Sequence, residues 1–357
     1  MGIYKTGIVG LGRMGNLFDR DPLIKNKPAS HAGCYQACDR TELVAGCDLL
    51  SERVNDFKTD RNVTGLYNDY KEMLDKEELD ILSVCTHNDS HKDICVYAAN
   101  SGVKAIFCEK PMALSIKECE EMIKSCKDNN VMLLIDHTRR FDHSFNYVKQ
   151  LIDQGRIGEI HKVDSYATVG LLNGGSHLFD LLRYYFGDAE WVSGQIIPDE
   201  SSDPGGCGII GFKSGVHVTL DSRWRDYCYF KLDIMGSKGV IKAGGMIRSD
   251  KQVQLFHAQR SQSESGIFEL TEEHDLVSLQ VKSPYLNAVE YLVSCLDRNQ
   301  RPISSGYDGK ASLELAMAFY ESDRLGGYHK VLLPLKNIEK KVLARQTSFT
   351  KDGNILR

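Results

Sequence analysis

The sequence predicts an α/β Rossmann domain followed by an α+β domain with a large open, mostly antiparallel sheet. Three observations carry this. "GLGRMG" directly follows the apolar run "IYKTGIV" at the start of the chain. From there to about residue 136, short apolar runs alternate with segments of helical period. Beyond residue 160 the pattern changes to consecutive hairpin signatures. The division expected is 1–136 for nucleotide binding and 137–357 for substrate binding and oligomerisation.

Residues 3–9 read as a buried strand, and Gly10, Gly12 and Gly15 then form G-x-G-x-x-G. The first glycine permits a tight turn, the second a close approach to a pyrophosphate, the third close helix–strand packing. The N-terminus of the following helix is expected to face the phosphates. The motif alone is common, and its place between two apolar strands gives it weight. The second strand, "ELVAGCD", ends on Asp48, whose carboxylate can accept hydrogen bonds from both ribose hydroxyls. That favours NAD over NADP. "DRDPLIKNKPASH", Asp19 to His31, reads as an inserted loop that lengthens the spacing to Asp48. Arg53 reads as a solvated helix residue rather than a 2′-phosphate ligand.

A short helix in "TGLYNDYKEMLDKEEL", a strand at "DILSVCT" and a helix at "SHKDICVYAANSG" continue the alternation. "KAIFCE" is a strand. "SIKECEEMIKSCKDNN" is a helix with Ile116, Cys119, Met122, Ile123 and Cys126 at helical period, and "VMLLID" is the next strand. Such alternation means a parallel, doubly wound sheet with ligands at the strand C-termini. "THNDSH" (86–91), Lys110 and "DHTRRFD" (136–142) fall at those ends. In "AIFCEKPMALS" a proline follows Lys110 at once, which restricts the lysine's backbone.

In the second half, "HKVDSYATV" alternates like a strand. Hairpins turn at Lys213–Gly215 and at Ser237–Gly239. Helices near 284–298 and 308–325 are expected to cover an edge or face of this sheet. "NGGSHLFDLLRYYFGD", Asn173 to Asp188, carries a helix beginning near Ser176, with His177 and Asp180 on one face. Near the positive helix end an imidazole holds its proton less tightly, which suits a proton acceptor.

The chain has 357 residues, enough for two domains, and a formal charge of −5, which supplies no field for nucleic acid. No run approaches the length of a membrane helix, and "MGIYKTGIVGLG" has no signal-peptide pattern. Eleven cysteines, an odd number, many inside apolar runs, read as reduced thiols of a cytoplasmic protein. Cys34 and Cys38, spaced C-x3-C beside His31, lack a second ligand pair, so no metal site is expected. The polar stretch from Ile338 to Arg357 reads as an arm onto a neighbouring subunit or a loose tail.

Taken together, "GIVGLGRMG", "ELVAGCD", "CTHNDSH", "VKAIFCEKPMALS", "RRFDHSF…LIDQGRIGEI", "GGSHLFDLLRYYFGD" and "PISSGYDGKASLELAMAFYES" resemble the Gfo/Idh/MocA family of oxidoreductases. The resemblance implies an active site between the two domains. It implies NAD or NADP held by Gly10, Gly12, Arg13, Met14, Gly15 and Asp48, helped by Thr86, His87, Asn88, His91, Glu109 and Lys110. Lys110 and His177 then act on a substrate hydroxyl, and members assemble as dimers or tetramers through the sheet. Arg140, Tyr166, Asn173, Asp180 and Trp224 are the expected substrate neighbours. Asn173 stands where many members carry an Asp, so it can hydrogen-bond a hydroxyl but brings no charge to the histidine. His87 stands where a proline is frequent. Three functions fit these residues: an NAD-dependent sugar or polyol dehydrogenase, an NAD-dependent glycosidase working by transient C3 oxidation, and a nucleotide sensor without catalysis.

Overall fold

In the computed structural model the described residues are 2–198, 201–246, 253–273 and 282–341. They fall into two compact units, the first of residues 2–142, 282–313 and 338–341, the second of 143–273 and 314–337 so far as these are described. The sequence reading puts everything beyond 136 together. The contacts instead return residues 282–313 to the first unit.

The first unit holds a six-stranded parallel sheet. Its strands are β1 (Tyr4–Val9), β2 (Thr41–Cys47), β3 (Gly65–Tyr67), β4 (Ile81–Val84), β5 (Ala105–Cys108) and β6 (Met132–Ile135), in the order β3-β2-β1-β4-β5-β6. Every residue of β4 and β5 is buried, as a sheet covered on both faces requires. The connecting helices are α1 (His31–Ala37), α2 (Ser51–Arg61), α3 (Tyr70–Lys76), α4 (His91–Asn100) and α5 (Ile116–Asp128). Of the predicted α5 stripe, Ile116, Cys119, Met122 and Cys126 are buried and Ile123 is half-buried, and Ser115 caps the helix by accepting from Glu118 N at 3.2 Å.

The second unit adds α6 (His143–Asp153), β7 (Ile160–Ala167), α7 (Gly175–Phe186) and β8 (Ala189–Ile197). The predicted hairpins follow as β9 (Gly205–Phe212) with β10 (His217–Ser222), and β11 (Tyr229–Gly236) with β12 (Gly239–Met246). With β13 (Val253–Arg260), β14 (Phe268–Glu272) and β15 (Val331–Leu332) they form a nine-stranded sheet. It is antiparallel except between β7 and β10, which run parallel. Fully buried Phe179 of α7 stacks on Phe319 at 5.8 Å, and Phe319 lies against Gly194 and Gly208 of the sheet.

The late helices are α8 (Pro284–Arg298) and α9 (Gly306–Arg324). The expectation that both cover the antiparallel sheet is corrected for α8. Its Ala288, Val289, Leu292 and Val293 join Ile8, Leu11, Tyr35, Phe107 and Leu134 in the core of the first unit. Apolar period says that a helix is buried, not which sheet buries it. The C-terminal stretch returns to the first unit, where Ile338 O accepts from Lys117 N at 2.9 Å. Residues 342–357 of that stretch lie outside the described residues.

Candidate active site

Gly10 has φ +93, and a Cβ there would stand 2.6 Å from Thr86 N. A Cβ on Gly15 would stand 1.9 Å from Gly10 O. Both glycines are thus required by the loop itself. The helix expected after the loop is corrected: a 3-10 turn at Leu17–Arg20 follows, and the first α-helix begins only at His31. The inserted segment folds back onto the loop, with His31 N donating to Met14 O at 2.9 Å and Ala32 N to Gly15 O at 3.0 Å. Arg13 lies 4.1 Å over the Phe18 ring and 3.5 Å from Asp21. It braces this fold-back.

Asp48, buried at the end of β2, accepts from Leu11 N and Leu50 N, each at 2.9 Å. Its third partner is Arg53, at 3.3 Å, which also lies beside Gly12. Oδ2 accepts from both Leu11 N and Arg53, and Oδ1, which accepts only from Leu50 N, keeps a further lone pair for a hydroxyl.

After β5, Glu109 is buried and its Oε2 accepts from Lys110 N at 3.2 Å. Burial raises the Glu109 carboxyl, but the adjoining His31 and the charges of Lys110 and His91 together bring it below the ordinary carboxylate value. Glu109 therefore stays anionic and fixes the backbone of Lys110, whose side chain is half-buried. The Lys110–Pro111 peptide is cis.

Two of the expected ligand residues serve as internal struts. His91 is buried, with Nδ1 3.2 Å from Pro111 O and Nε2 3.1 Å from Thr86 O. It ties the loop after β4 to the loop after β5, and burial lowers its pKa. Arg140 is buried against the Ile303 carbonyl and lies 3.3 Å from Asp308. Of the remaining predicted positions here, Thr86 accepts from Ser90 Oγ at 2.8 Å, Asn88 is buried and His87 is exposed.

In the second unit, Asn173 and half-buried His177 lie at the start of α7, and Asp180 is buried one turn on. The loop before them is held by Asp203, which sequence reasoning missed. Its two carboxylate oxygens accept from Leu172 N and Asn173 N, each at 2.8 Å. Trp224 Nε1 donates to Asp203 O at 2.9 Å, so Trp224 reaches this loop through Asp203. Tyr166 is 43% exposed between buried Ser165 and Ala167, on the sheet face opposite the one packed by Phe319. The structure does not bring it together with Asn173 and His177, because strand alternation turns it away.

These residues fit a dinucleotide: a loop where backbone alone can approach, and a buried carboxylate at the end of β2. Two family models match the chain, an oxidoreductase family with an NAD-binding Rossmann fold over residues 4–137 and the GFO/IDH/MocA C-terminal domain over residues 145–242. The chain belongs to the Gfo/Idh/MocA family. It is an NAD(P)-dependent oxidoreductase. It is 26% identical over 342 residues to a myo-inositol 2-dehydrogenase of Thermotoga maritima, covering 89% of this chain and 96% of that protein. It is 26% identical to an inositol 2-dehydrogenase of Rhizobium meliloti over 346 residues, with the same two coverages. The solved structure of the WlbA dehydrogenase of Bordetella pertussis, in complex with NADH and UDP-GlcNAcA, shares the fold. Its TM-score is 0.74 at 22% identity, over 94% of this chain and 100% of that one. Among the described residues no helix is long and apolar enough to cross a membrane.

Proposed function

We propose that this protein oxidises a secondary hydroxyl of a cyclic polyol or sugar, hexose C3 among the candidate positions, using NAD. The observation that carries the proposal is Glu109 fixing Lys110 after β5, on the same parallel sheet whose edge holds the glycine loop and Asp48. Relatives named for inositol oxidation support the substrate class. NAD, when bound, accepts the carbinol hydrogen as hydride. Lys110 polarises the hydroxyl oxygen through its ammonium. His177 takes the hydroxyl proton on its imidazole, and Asn173 hydrogen-bonds a neighbouring hydroxyl.

Asp48 sets the preference for NAD, because its carboxylate accepts ribose hydroxyls and repels a 2′-phosphate. Asp48→Asn is expected to raise the KM for NAD by about tenfold or more, the worth of a hydrogen bond to a charged group. Steady-state kinetics with NAD and NADP check this, and an unchanged KM counts against the assignment. Initial rates at 340 nm over inositols, sugars, glycosides and nucleotide sugars test the reaction class. Net NADH from a polyol or sugar is expected. Glycoside cleavage without net NADH identifies the transient-oxidation glycosidase instead.

We further propose action in the cytoplasm, consistent with eleven cysteines none of which is in a disulfide. Assembly as a homodimer or homotetramer through the nine-stranded sheet is proposed on its exposed Tyr166 and Ile209, and sedimentation velocity measures it.

A further inference from the structure

Three buried side chains from distant parts of the first unit meet beside the parallel sheet's C-terminal edge. His31 opens α1 after the inserted segment, Glu109 follows β5 and Asp136 follows β6. His31 Nε2 lies 3.4 Å from Glu109 Oε1 and 3.4 Å from Asp136 Oδ2. The side chains are 2%, 8% and 1% exposed. All three of these atoms lie within 4.8 Å of one another, and none makes a hydrogen bond of normal length and angle; the Cys85 thiol also lies beside His31.

The other heteroatom of each group is engaged. His31 Nδ1 is 2.8 Å from Ser83 Oγ, Glu109 Oε2 accepts from Lys110 N, and Asp136 Oδ1 accepts from Thr138 Oγ1 at 3.1 Å. Ser83 is in turn held by Tyr35 Oη at 2.6 Å. The Ser83 contact on Nδ1 orients the ring so that Nε2 faces the two carboxylates, and when Ser83 accepts from Nδ1–H the Nε2 lone pair is free for a metal, the usual support of a metal-bound histidine. Three unpaired atoms aimed at one dry point are costly without a cation to share.

The spacing chooses the ion. Donors about 2.0–2.1 Å from a tetrahedral zinc stand roughly 3.3–3.4 Å from each other. Both His31–carboxylate separations fall there. One imidazole with two carboxylates suits zinc or a neighbouring first-row ion. Magnesium and calcium require about six or more oxygen donors, which three groups in a dry pocket do not supply. A divalent charge also balances the two carboxylates.

We propose that His31, Glu109 and Asp136 form a binding site for a divalent transition-metal ion, zinc by preference, which pins the inserted segment to the edge of the parallel sheet. The site is independent of the substrate assigned above. Its ligands come from three separate elements, so no local ligand motif announces it.

The test uses the full chain, purified without a metal-affinity column, stripped with a chelator and checked for fold by circular dichroism. Zinc is titrated against a chromophoric chelator, and cobalt uptake is followed by its visible absorption. The wild type is expected to take up about one equivalent of zinc and to give the intense visible bands of tetrahedral cobalt. Asp136→Asn and His31→Ala are each expected to weaken zinc binding at least about 100-fold. Ser83→Ala, which leaves the ligands in place, is expected to weaken it about 10–100-fold. A folded, stripped wild type that takes up no zinc overturns the proposal, leaving a proton shared among the three groups. Uptake that Asp136→Asn leaves unchanged also overturns it, since the metal is then held by thiols such as Cys34 and Cys38.

Discussion

Lys110→Ala is expected to lower kcat by about 10²–10⁴-fold, the usual worth of a positioned acid–base group. The lysine follows a fully buried strand, and its backbone N–H is spent on an anionic, buried Glu109. A side chain that merely faced solvent would need no such anchor. Because Gly10, Gly15 and Asp48 are separate from Lys110, the dissociation constant for NADH is expected to change by less than about threefold, and titration followed by the fluorescence of the bound reduced nicotinamide measures it. A variant that retains turnover refutes the role. A variant that loses turnover and NAD together shows instead that the lysine holds the cofactor.

Asp203→Ala is expected to be the most destabilising of the substitutions considered. It strips the acceptors from Leu172 N and Asn173 N and leaves one buried and one half-buried donor unpaired. At about 1–3 kcal/mol for each of the two orphaned donors, the loss is about 2–6 kcal/mol. The loop it holds leads directly into Asn173 and His177, so activity is expected to fall as well. Both tryptophans, Trp191 and Trp224, belong to the second unit, and Trp224 bonds to Asp203 itself. Urea denaturation followed by tryptophan fluorescence therefore reads this unit. Asp203→Asn keeps one acceptor and is expected to cost about half as much. Equal stability of wild type and Asp203→Ala would show that the loop is held by other contacts.

Much of the architecture was legible because it is written in local periods. Strand alternation places the β9–β10 and β11–β12 hairpins, and the stripe on α5 is the buried face of that helix. The glycine spacing and Asp48 were legible because each answers a backbone constraint. What stayed hidden depends on long-range contact. Nothing in the period of α8 says that its apolar face closes the core of the first unit. His91 and Arg140 have the chemistry of ligand contacts, and only their carbonyl partners reveal them as struts. Tyr166 sits one residue out of phase with the buried face of β7. Asp203, His31 and Asp136 carry their roles through partners far away in sequence, which no motif records.

The central claim, that Lys110 and His177 serve one substrate hydroxyl, is tested most directly by a double-mutant cycle in kcat/KM for NADH formation. Lys110→Ala, His177→Ala and the double variant are compared with wild type. Groups that act as a unit are strongly non-additive. The account predicts that the double variant is about as slow as the worse single variant. Fully additive losses, with the double variant slowed by the product of the two factors, would contradict it.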